Sequence, residues 1–378
     1  MTRNVFIVAN NIVSPLGNTT EENFTQLTHG ISGITKHYNA AFAPESFYAS
    51  LFANGNDLIT ASDPQHTKFE QLLITSVEKA LSWCTVNAAD QKTALIISST
   101  KGNVSLLETE QNNIALQKRI SLPASAKLVA DHFGFAADPI TISNACISGI
   151  MALLTGMRLI RSGQYENAVV TGADVISKFV LSGFQSFQAI SPQPCKPFDK
   201  NRSGISLGEG AGTVILSANP SSANDIKVMS GAISNDANHI SAPSRTGKEL
   251  SYAIKQSMDA AHLTATGIDF ISAHGTATIY NDEMEAKAIT LSNLQNVPVN
   301  SLKSYYGHTL GAAGLIESII SVQSLKENLF IPTLGFEETG VPDEINVPVK
   351  LLNGNFNNCL KIASGFGGCN AAMIFSKQ

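Results

Sequence analysis

Basic residues are the minority charge: 25 Lys and Arg stand against 30 Asp and Glu, a formal net charge of −5. A chain with that balance carries no electrostatic footprint for nucleic acid. Cysteine is sparse and odd in number. Cys84, Cys146, Cys195, Cys359 and Cys369 are widely spaced with no Cys-x-x-Cys pair, which suggests neither a disulfide framework nor a zinc site and fits a cytoplasmic, reducing setting. No stretch reaches the ~18 consecutive apolar residues of a membrane span, and the apolar run Val5 to Ala9 is too short for a signal peptide. Small and apolar residues are plentiful: 43% hydrophobic and 28 Gly in 378 residues. That suffices for a large core, in one big or two medium domains.

The stretch Ile140-Thr-Ile-Ser-Asn-Ala-Cys146-Ile-Ser-Gly-Ile-Met151 organises the chain. Pro139 to Ile142 is β-prone, and from Ile147 the apolar residues Ile150, Met151, Leu153, Leu154, Met157 and Ile160 cover almost every side of a helix. Such a helix is buried. Cys146 then sits where it begins, where free N–H groups and the helix dipole favour a thiolate over a thiol. A free cysteine is more often a small inert hydrophobe, so the other motifs must carry the assignment.

Taken in order, Asn4 to Ala9 reads as a first strand, Ser14-Pro-Leu-Gly17 as a turn, and Thr19-Thr-Glu-Glu as a capped helix start. Residues 36 to 66 read as surface loops and short turns. Helices are expected over Lys68 to Trp83 and Val104 to Lys118, and strands over Thr93 to Ser98 and Asn167 to Asp174. A loop at 190 to 207 leads into Gly208-Glu-Gly-Ala-Gly212 and a strand to Ser217. Asn219 to Asp225 is the best linker, and the pattern then repeats. Ile226 onward answers the first strand, Lys248 to His262 the early helix, and Phe270-Ile-Ser-Ala-His-Gly275 the strand at Thr93. Val297 to Lys303 with the helix Thr309 to Leu325 answers the strand, Cys146 and helix. Gly365 to Ser376 answers Gly208 to Ser217. The expected architecture is α/β, built from two duplicated halves at 1–220 and 226–378. Gly311-Ala-Ala-Gly314 would let two central helices approach closely.

Three further motifs fall on loops that duplication gathers around one cleft. His274-Gly-Thr-Ala-Thr278 follows a strand, where function collects in open α/β sheets. Lys303-Ser-Tyr-Tyr-Gly-His308 opens the second buried helix. Gly365-Phe366-Gly367-Gly368 has bare backbone able to present N–H groups to an oxyanion. Each is weak alone, and together with Cys146 they are specific.

In these residues the sequence resembles an elongating β-ketoacyl-acyl-carrier-protein synthase, a condensing enzyme of the thiolase superfamily. The resemblance covers essentially the whole chain. It rests on Asn144-Ala-Cys146-Ile-Ser-Gly149, Phe198-Asp-Lys-Asn-Arg-Ser-Gly204 with Gly208-Glu-Gly-Ala-Gly212, His274-Gly-Thr-Ala-Thr with Asp282 and Glu285, Lys303-Ser-x-x-Gly-His308-x-x-Gly-Ala-Ala-Gly314, and Gly365-Phe-Gly-Gly-x-Asn370. It implies a thiolase-like five-layered αβαβα fold, a homodimer, and a catalytic set of Cys146, His274 and His308. It implies no metal and no bound cofactor, the substrates being carried on the phosphopantetheine arm of an acyl carrier protein (ACP).

By that resemblance, Cys146 takes the acyl chain from a thioester. His274 and His308 hold the enolate formed when malonyl-ACP loses CO2. The backbone N–H groups of Cys146 and Phe366 hold the second oxyanion, with Phe366 and Gly367 in the gate loop. Lys303 pairs with Glu285, and Asp282 supports them. A basic patch for ACP would include Arg158, Arg161, Lys196, Lys200 and Arg202. Two other readings stay open: a chain-length-factor-like, partner-dependent subunit of a heterodimeric synthase, against which Cys146 argues, and a thiolase-type acyltransferase, for which Cys369 stands on the wrong side of Gly367-Gly368. Departures at Ile279-Tyr-Asn-Asp282 and Ser98-Ser-Thr-Lys-Gly-Asn103 point to a specialised synthase for polyunsaturated or aryl-polyene chains, with ordinary fatty-acid elongation as the competing reading.

Overall fold

A computed structural model describes residues 3–39, 42–53, 65–237 and 240–378. Its first half contributes strands β1 (Phe6–Val13), β2 (Thr93–Ser98), β3 (Ile140–Ile142), β4 (Asn167–Asp174) and β5 (Gly210–Ser217). The second contributes β6 (Ile226–Asn235), β7 (Phe270–Ser272), β8 (Val299–Asn300), β9 (Asn358–Gly365) and β10 (Cys369–Ser376). The order in space is β8-β7-β9-β10-β6-β1-β5-β4-β2-β3. Counted within each half, both read 3-2-4-5-1 from the outer edge. The pairings repeat too: β2 runs parallel to β3 and β4, and β7 parallel to β8 and β9. The remaining neighbours, β4–β5, β5–β1, β9–β10 and β10–β6, are antiparallel. The pairs Phe6↔Lys227 and Ile7↔Ile226, with Val228 N–H donating to Val5 O at 2.9 Å, join the two halves.

The longer helices are α1 (Thr20–Thr28), α2 (Lys68–Ser82), α3 (Leu122–Phe133), α4 (Ser148–Arg161), α5 (Lys178–Ser186), α6 (Lys248–Ala261), α7 (Ile279–Leu291) and α8 (Ala313–Glu327). Helices α2 and α3 cover the outer face of the first sheet, with Phe69, Leu72, Leu73, Val77, Ala126 and Val129 in its core. Helices α6 and α7 cover the second, through Leu250, Ile254, Met284 and Ile289. Between the sheets lie α4 and α8, which gives the five layers of a thiolase-like αβαβα fold. Helix α8 is buried on every side from Ala313 to Val322, as a helix between two sheets must be. The central pair meet through glycines. A Cβ on Gly149 would lie 2.7 Å from the Leu315 backbone nitrogen, and one on Gly314 would lie 3.0 Å from that of Ile150.

Strands β2 and β4 have the bounds expected from sequence, and α2 starts at the capping box of Thr67 and Glu70. The expected helix Val104 to Lys118 is instead a short 3-10 turn, Val104–Glu108, and a separate helix, Ile114–Arg119. The polar run Glu110 to Asn113 between them offers nothing to bury, and the Asn113 side chain caps the new helix by accepting from Leu116 N–H at 2.9 Å. The segment 36 to 66 is not all loop: strands Thr35–His37 and Phe47–Ser50 pair with each other, and the latter with Leu207–Gly208. Residues 40, 41 and 54–64 of that expectation lie outside the described residues. Helices α3, α5 and α7 were not expected, nor was strand β9. Among the described residues no helix is long and apolar enough to cross a membrane.

Candidate active site

Cys146 follows β3 through a tight reversal. Ala145 takes a left-handed φ of 43°, and the Ser148 hydroxyl staples the turn, donating to Ala145 O and accepting from Asn144 N–H, each at 2.7 Å. A left-handed alanine costs energy that the surroundings must offset. The reversal aims the half-buried Cys146 into a cavity of about 400 Å³, whose lining includes His274, His308, Phe366, Thr276 and Thr278.

His308 arrives from the other half. Gly307 before it, at φ 67°, has room for no side chain: a Cβ would sit 2.3 Å from Leu207 O. His308 N–H donates to Ser206 O at 2.7 Å, and its carbonyl accepts from Gly208 N–H at 3.1 Å. Below it, the buried Asp174 at the end of β4 accepts from Gly311 N–H at 2.6 Å and from the Ser99 hydroxyl at 2.6 Å. One carboxylate thus ties the His308 loop to the sheet that carries Cys146.

The histidine protons are set by their neighbours. Nε2 of His308 lies 3.1 Å from Sγ of Cys146, while Leu310 N–H donates to its Nδ1 at 3.2 Å. Nζ of Lys303 lies 3.1 Å from Nδ1 of His274. An N–H at each Nδ1 leaves the hydrogen of a neutral ring on Nε2. Burial, reinforced by the Lys303 ammonium, holds both imidazoles well below their ordinary pKa, so both are neutral donors at pH 7. The rings stand nearly perpendicular, 5.1 Å between centroids.

Sγ and the two ring nitrogens lie within 4.8 Å of one another, a spacing that could bracket a metal ion. Their outer partners point the other way. A metal-binding imidazole gives its second N–H to an acceptor, whereas here both second nitrogens face donors. The donor set fits an anionic oxygen better than a cation.

The expectation of a thiolate at Cys146 is not met. Burial pushes the thiol up to about 12, against which the Lys303 charge and the Phe366 N–H, donating to the sulfur, act only partly. Desolvation outweighs the helix terminus because the sulfur is enclosed by neutral rings and the Phe366 loop. Cys146 is a thiol at neutral pH.

Lys303 does not pair with Glu285. Its ammonium is bound to Oε1 of Glu317 at 2.5 Å, and Oε2 of Glu317 lies 2.7 Å from Nζ of Lys361. Glu285 has other work: it accepts the backbone N–H groups of His274 and Gly275 at 2.7 and 2.6 Å, and Asn281 Nδ2 at 2.7 Å. Burial, then the nearby Asp282, pushes Glu285 up to about 7. Asp282 accepts Phe198 N–H at 2.8 Å and, by its burial, is raised to about 6. Both carboxylates shape the loop around His274. Glu317 and Lys361 were missed in the sequence, although each is a lone charge in an apolar run, which is itself a signal.

In the glycine loop, Phe366 turns its N–H to the Cys146 sulfur. Gly367 does not join it: with φ at 86° its N–H goes to Ile240 O at 2.6 Å. The Phe366 ring stacks on Phe184 at 5.9 Å and meets Phe187 edge-on at 5.6 Å. Gly365 lets this loop touch the nucleophile turn, since a Cβ there would lie 2.9 Å from Cys146 N. Cys369 is packed beneath, its thiol 3.4 Å from Phe366 O.

The five basic residues form no patch. Arg202 is buried beside Asp282 and donates to Asp199 O at 3.0 Å. Lys196 and Lys200 pair with Glu337 and Glu338. Arg158 and Arg161 end α4, at the opposite end from Cys146.

The chain is similar to known proteins along most of its length. The 3-oxoacyl-[acyl-carrier-protein] synthase 2 of Vibrio harveyi is 29% identical over 99% of both chains. That of Mycobacterium leprae is 31% identical over 69% of this chain and 66% of its own. The solved ishigamide ketosynthase/chain length factor superposes with a TM-score of 0.90, at 25% identity and full coverage of both chains. The family models for the beta-ketoacyl synthase N-terminal domain and C-terminal domain match residues 2–221 and 227–337, and the chain belongs to the β-ketoacyl synthase family.

Proposed function

We propose that this chain is a β-ketoacyl-ACP synthase that joins an acyl group held on Cys146 to a two-carbon unit from malonyl-ACP. The observation that carries the reading is the Nε2–H of His308, 3.1 Å from the Cys146 sulfur, with Nδ1 blocked by Leu310 N–H. A histidine so fixed donates rather than accepts at the nucleophile.

In the first half-reaction the Cys146 sulfur attacks the acyl thioester. The bond from the acyl carbon to the carrier sulfur breaks, and the carrier thiol leaves with the Cys146 proton. In the second, the carbon–carbon bond to the malonyl carboxylate breaks and CO2 departs. The electron pair passes to the enolate, whose oxygen accepts from the Nε2–H groups of His274 and His308. The enolate carbon attacks the acyl carbonyl, with its oxyanion held by Phe366 and Cys146 N–H. The sulfur of Cys146 leaves as the carbonyl re-forms and takes a proton from water, the one proton that the condensation consumes. Covalent capture splits one difficult condensation into two steps. Lys303 orients His274, and Asp282 and Glu285 hold the loop that carries it.

The site needs no resident cofactor in this reading, and ACP brings both substrates. We place the work in the cytoplasm, in keeping with the free cysteines, and propose halves at 1–220 and 226–378, supported by the repeated strand order. The assembly is a homodimer, or a heterodimer with a chain-length-factor-like subunit, as the name of the ishigamide relative suggests for that protein. We propose a specialised polyene-type substrate from the Ile279-Tyr280 segment, which lines the cavity in place of smaller residues.

The test is intact-protein mass spectrometry after incubation with saturated and polyunsaturated acyl-ACPs. An acyl adduct on the wild type and none on Cys146→Ala is expected, with polyunsaturated chains loading best. Loading of saturated chains alone would return the assignment to ordinary elongation. No adduct from any donor would overturn the nucleophile.

A further inference from the structure

Lys361 is a lysine that a strand interior should not contain. It lies on β9 and is fully buried, in register with Ser272 of the neighbouring β7. Its Nζ meets three acceptors and no donor: Ser272 O at 3.2 Å, Ala273 O at 3.0 Å, and Oε2 of Glu317 at 2.7 Å. Two hydrogen-bonded carbonyls and a carboxylate at ion-pair distance suit an ammonium, which has donors to give and no lone pair to satisfy. Burial works against the charge, and Glu317 works for it.

A chain of contacts runs from there to the cleft: Lys361 to Glu317, Glu317 to Lys303, and Lys303 to Nδ1 of His274. Glu317 alone would neutralise Lys303, leaving no net charge beneath the histidines. With Lys361 the three groups sum to +1. Other titratable groups face the same volume: Cys146 across the cleft, Glu285 and Asp282 at the start of α7, Tyr306 ahead of His308, and Asp174 beneath Gly311. Glu285 and Asp282 are pushed towards neutrality by burial, so they offset this charge less than full carboxylates would.

We infer that Lys361 is a positioning residue which, by offsetting the charge of Glu317, leaves a net positive charge beneath His274 and His308, under the enolate oxygen. A fixed charge in a dry site assists only where negative charge develops. Decarboxylation of malonyl-ACP makes such a charge next to the histidines. Acylation of Cys146 makes it at the backbone N–H groups of Phe366 and Cys146. The role rests on the synthase reading above, but its effect on the imidazoles does not.

The experiment compares the wild type with Lys361→Met and with the double variant Lys361→Met/Glu317→Gln, which restores the +1 through Lys303 alone. Release of labelled CO2 from malonyl-ACP should fall on the order of tenfold in the single variant, with Cys146 acylation changed much less. The double variant should recover most of the loss. In protein carrying 13C-labelled histidine, without substrate, the His274 and His308 resonances should titrate at higher pH in Lys361→Met, because a repelling charge is gone. They should return towards the wild type in the double variant. A merely structural lysine predicts the reverse: the double variant worse than the single, both half-reactions equally slowed, and histidine titrations unmoved. Those results would overturn the inference. If Lys361→Met does not fold, the double variant against wild type decides it, since a charge role expects near-native decarboxylation. Failure of the wild type to take any acyl group would sink the synthase reading and leave the histidine titration as a valid test of the charge.

Discussion

Leu310 donates its backbone N–H to Nδ1 of His308 at 3.2 Å, and so decides what Cys146 meets on the other side of the ring. The ring presents Nε2–H to the sulfur. A base would need that nitrogen bare. The cleft is therefore a set of donors awaiting negative charge.

Truncating one donor should separate the two half-reactions. His308→Ala is expected to lower malonyl-ACP decarboxylation on the order of a hundredfold, the usual cost of one lost oxyanion donor. Acyl transfer to Cys146, which leans on backbone N–H groups, should fall less. Labelled CO2 release and intact-mass loading report the two steps. Equal losses would reject the division of labour.

Burial holds Cys146 as a thiol, raised to about 12. Its alkylation by iodoacetamide should therefore climb with pH throughout the range from neutral to about 10, close to tenfold per unit, because only the thiolate reacts. Peptide mapping of the modified protein follows this residue alone. A plateau near neutral pH would mean that the helix terminus overcomes desolvation after all.

Away from the cleft, Glu70 should govern acid stability. It is fully buried and accepts from both Arg119 guanidinium nitrogens, with Asn103 Nδ2 and the Ser125 hydroxyl at 2.9 and 2.8 Å. Burial alone would raise its pKa, but these donors lower it to about 2 from 4.5. A depressed carboxylate stabilises the fold above its unfolded pKa and loses that contribution as pH falls through the folded value. The window runs from about pH 4.5 down to about pH 2, for roughly 3 kcal/mol. Urea melts against pH would show it, and Glu70→Gln should lose the slope.

Gly149→Ala should separate the central helices. The added Cβ would lie 2.7 Å from the Leu315 backbone nitrogen, which cannot rotate away. A cost of about 1–3 kcal/mol is expected, as for other overpacked cores. Because α4 begins just after Cys146 and α8 follows His308, activity should fall as well. Thermal melting and acyl loading measure both; a variant with native stability would show that the helices slide freely.

Strands β2 and β4 were legible to the residue because both faces are covered, so β2 reads as an apolar run with polar ends and β4 as a run of apolar and small residues broken only by Thr171. The four motifs, at Cys146, His274, Lys303 to His308 and Gly365 to Gly368, were legible because each stands at a loop between periodic segments. Partners were not. Glu285 and Glu317 are both acidic and both near Lys303 in the chain, and only the fold shows that one holds backbone N–H groups while the other holds the ammonium. The ionisation of Cys146 was misread for a related reason: a helix start is written in the sequence, but the depth at which it lies is not.

Helix α4 touches both sheets, but the second sheet and α8 are encoded after it. During synthesis the nucleophile helix therefore emerges with Leu154 exposed, the side chain that later packs against Gly231. That cover begins with β6 and is complete only with β10, which is encoded long after α4. The first half must wait, adhesive and incomplete, for the second to close over it.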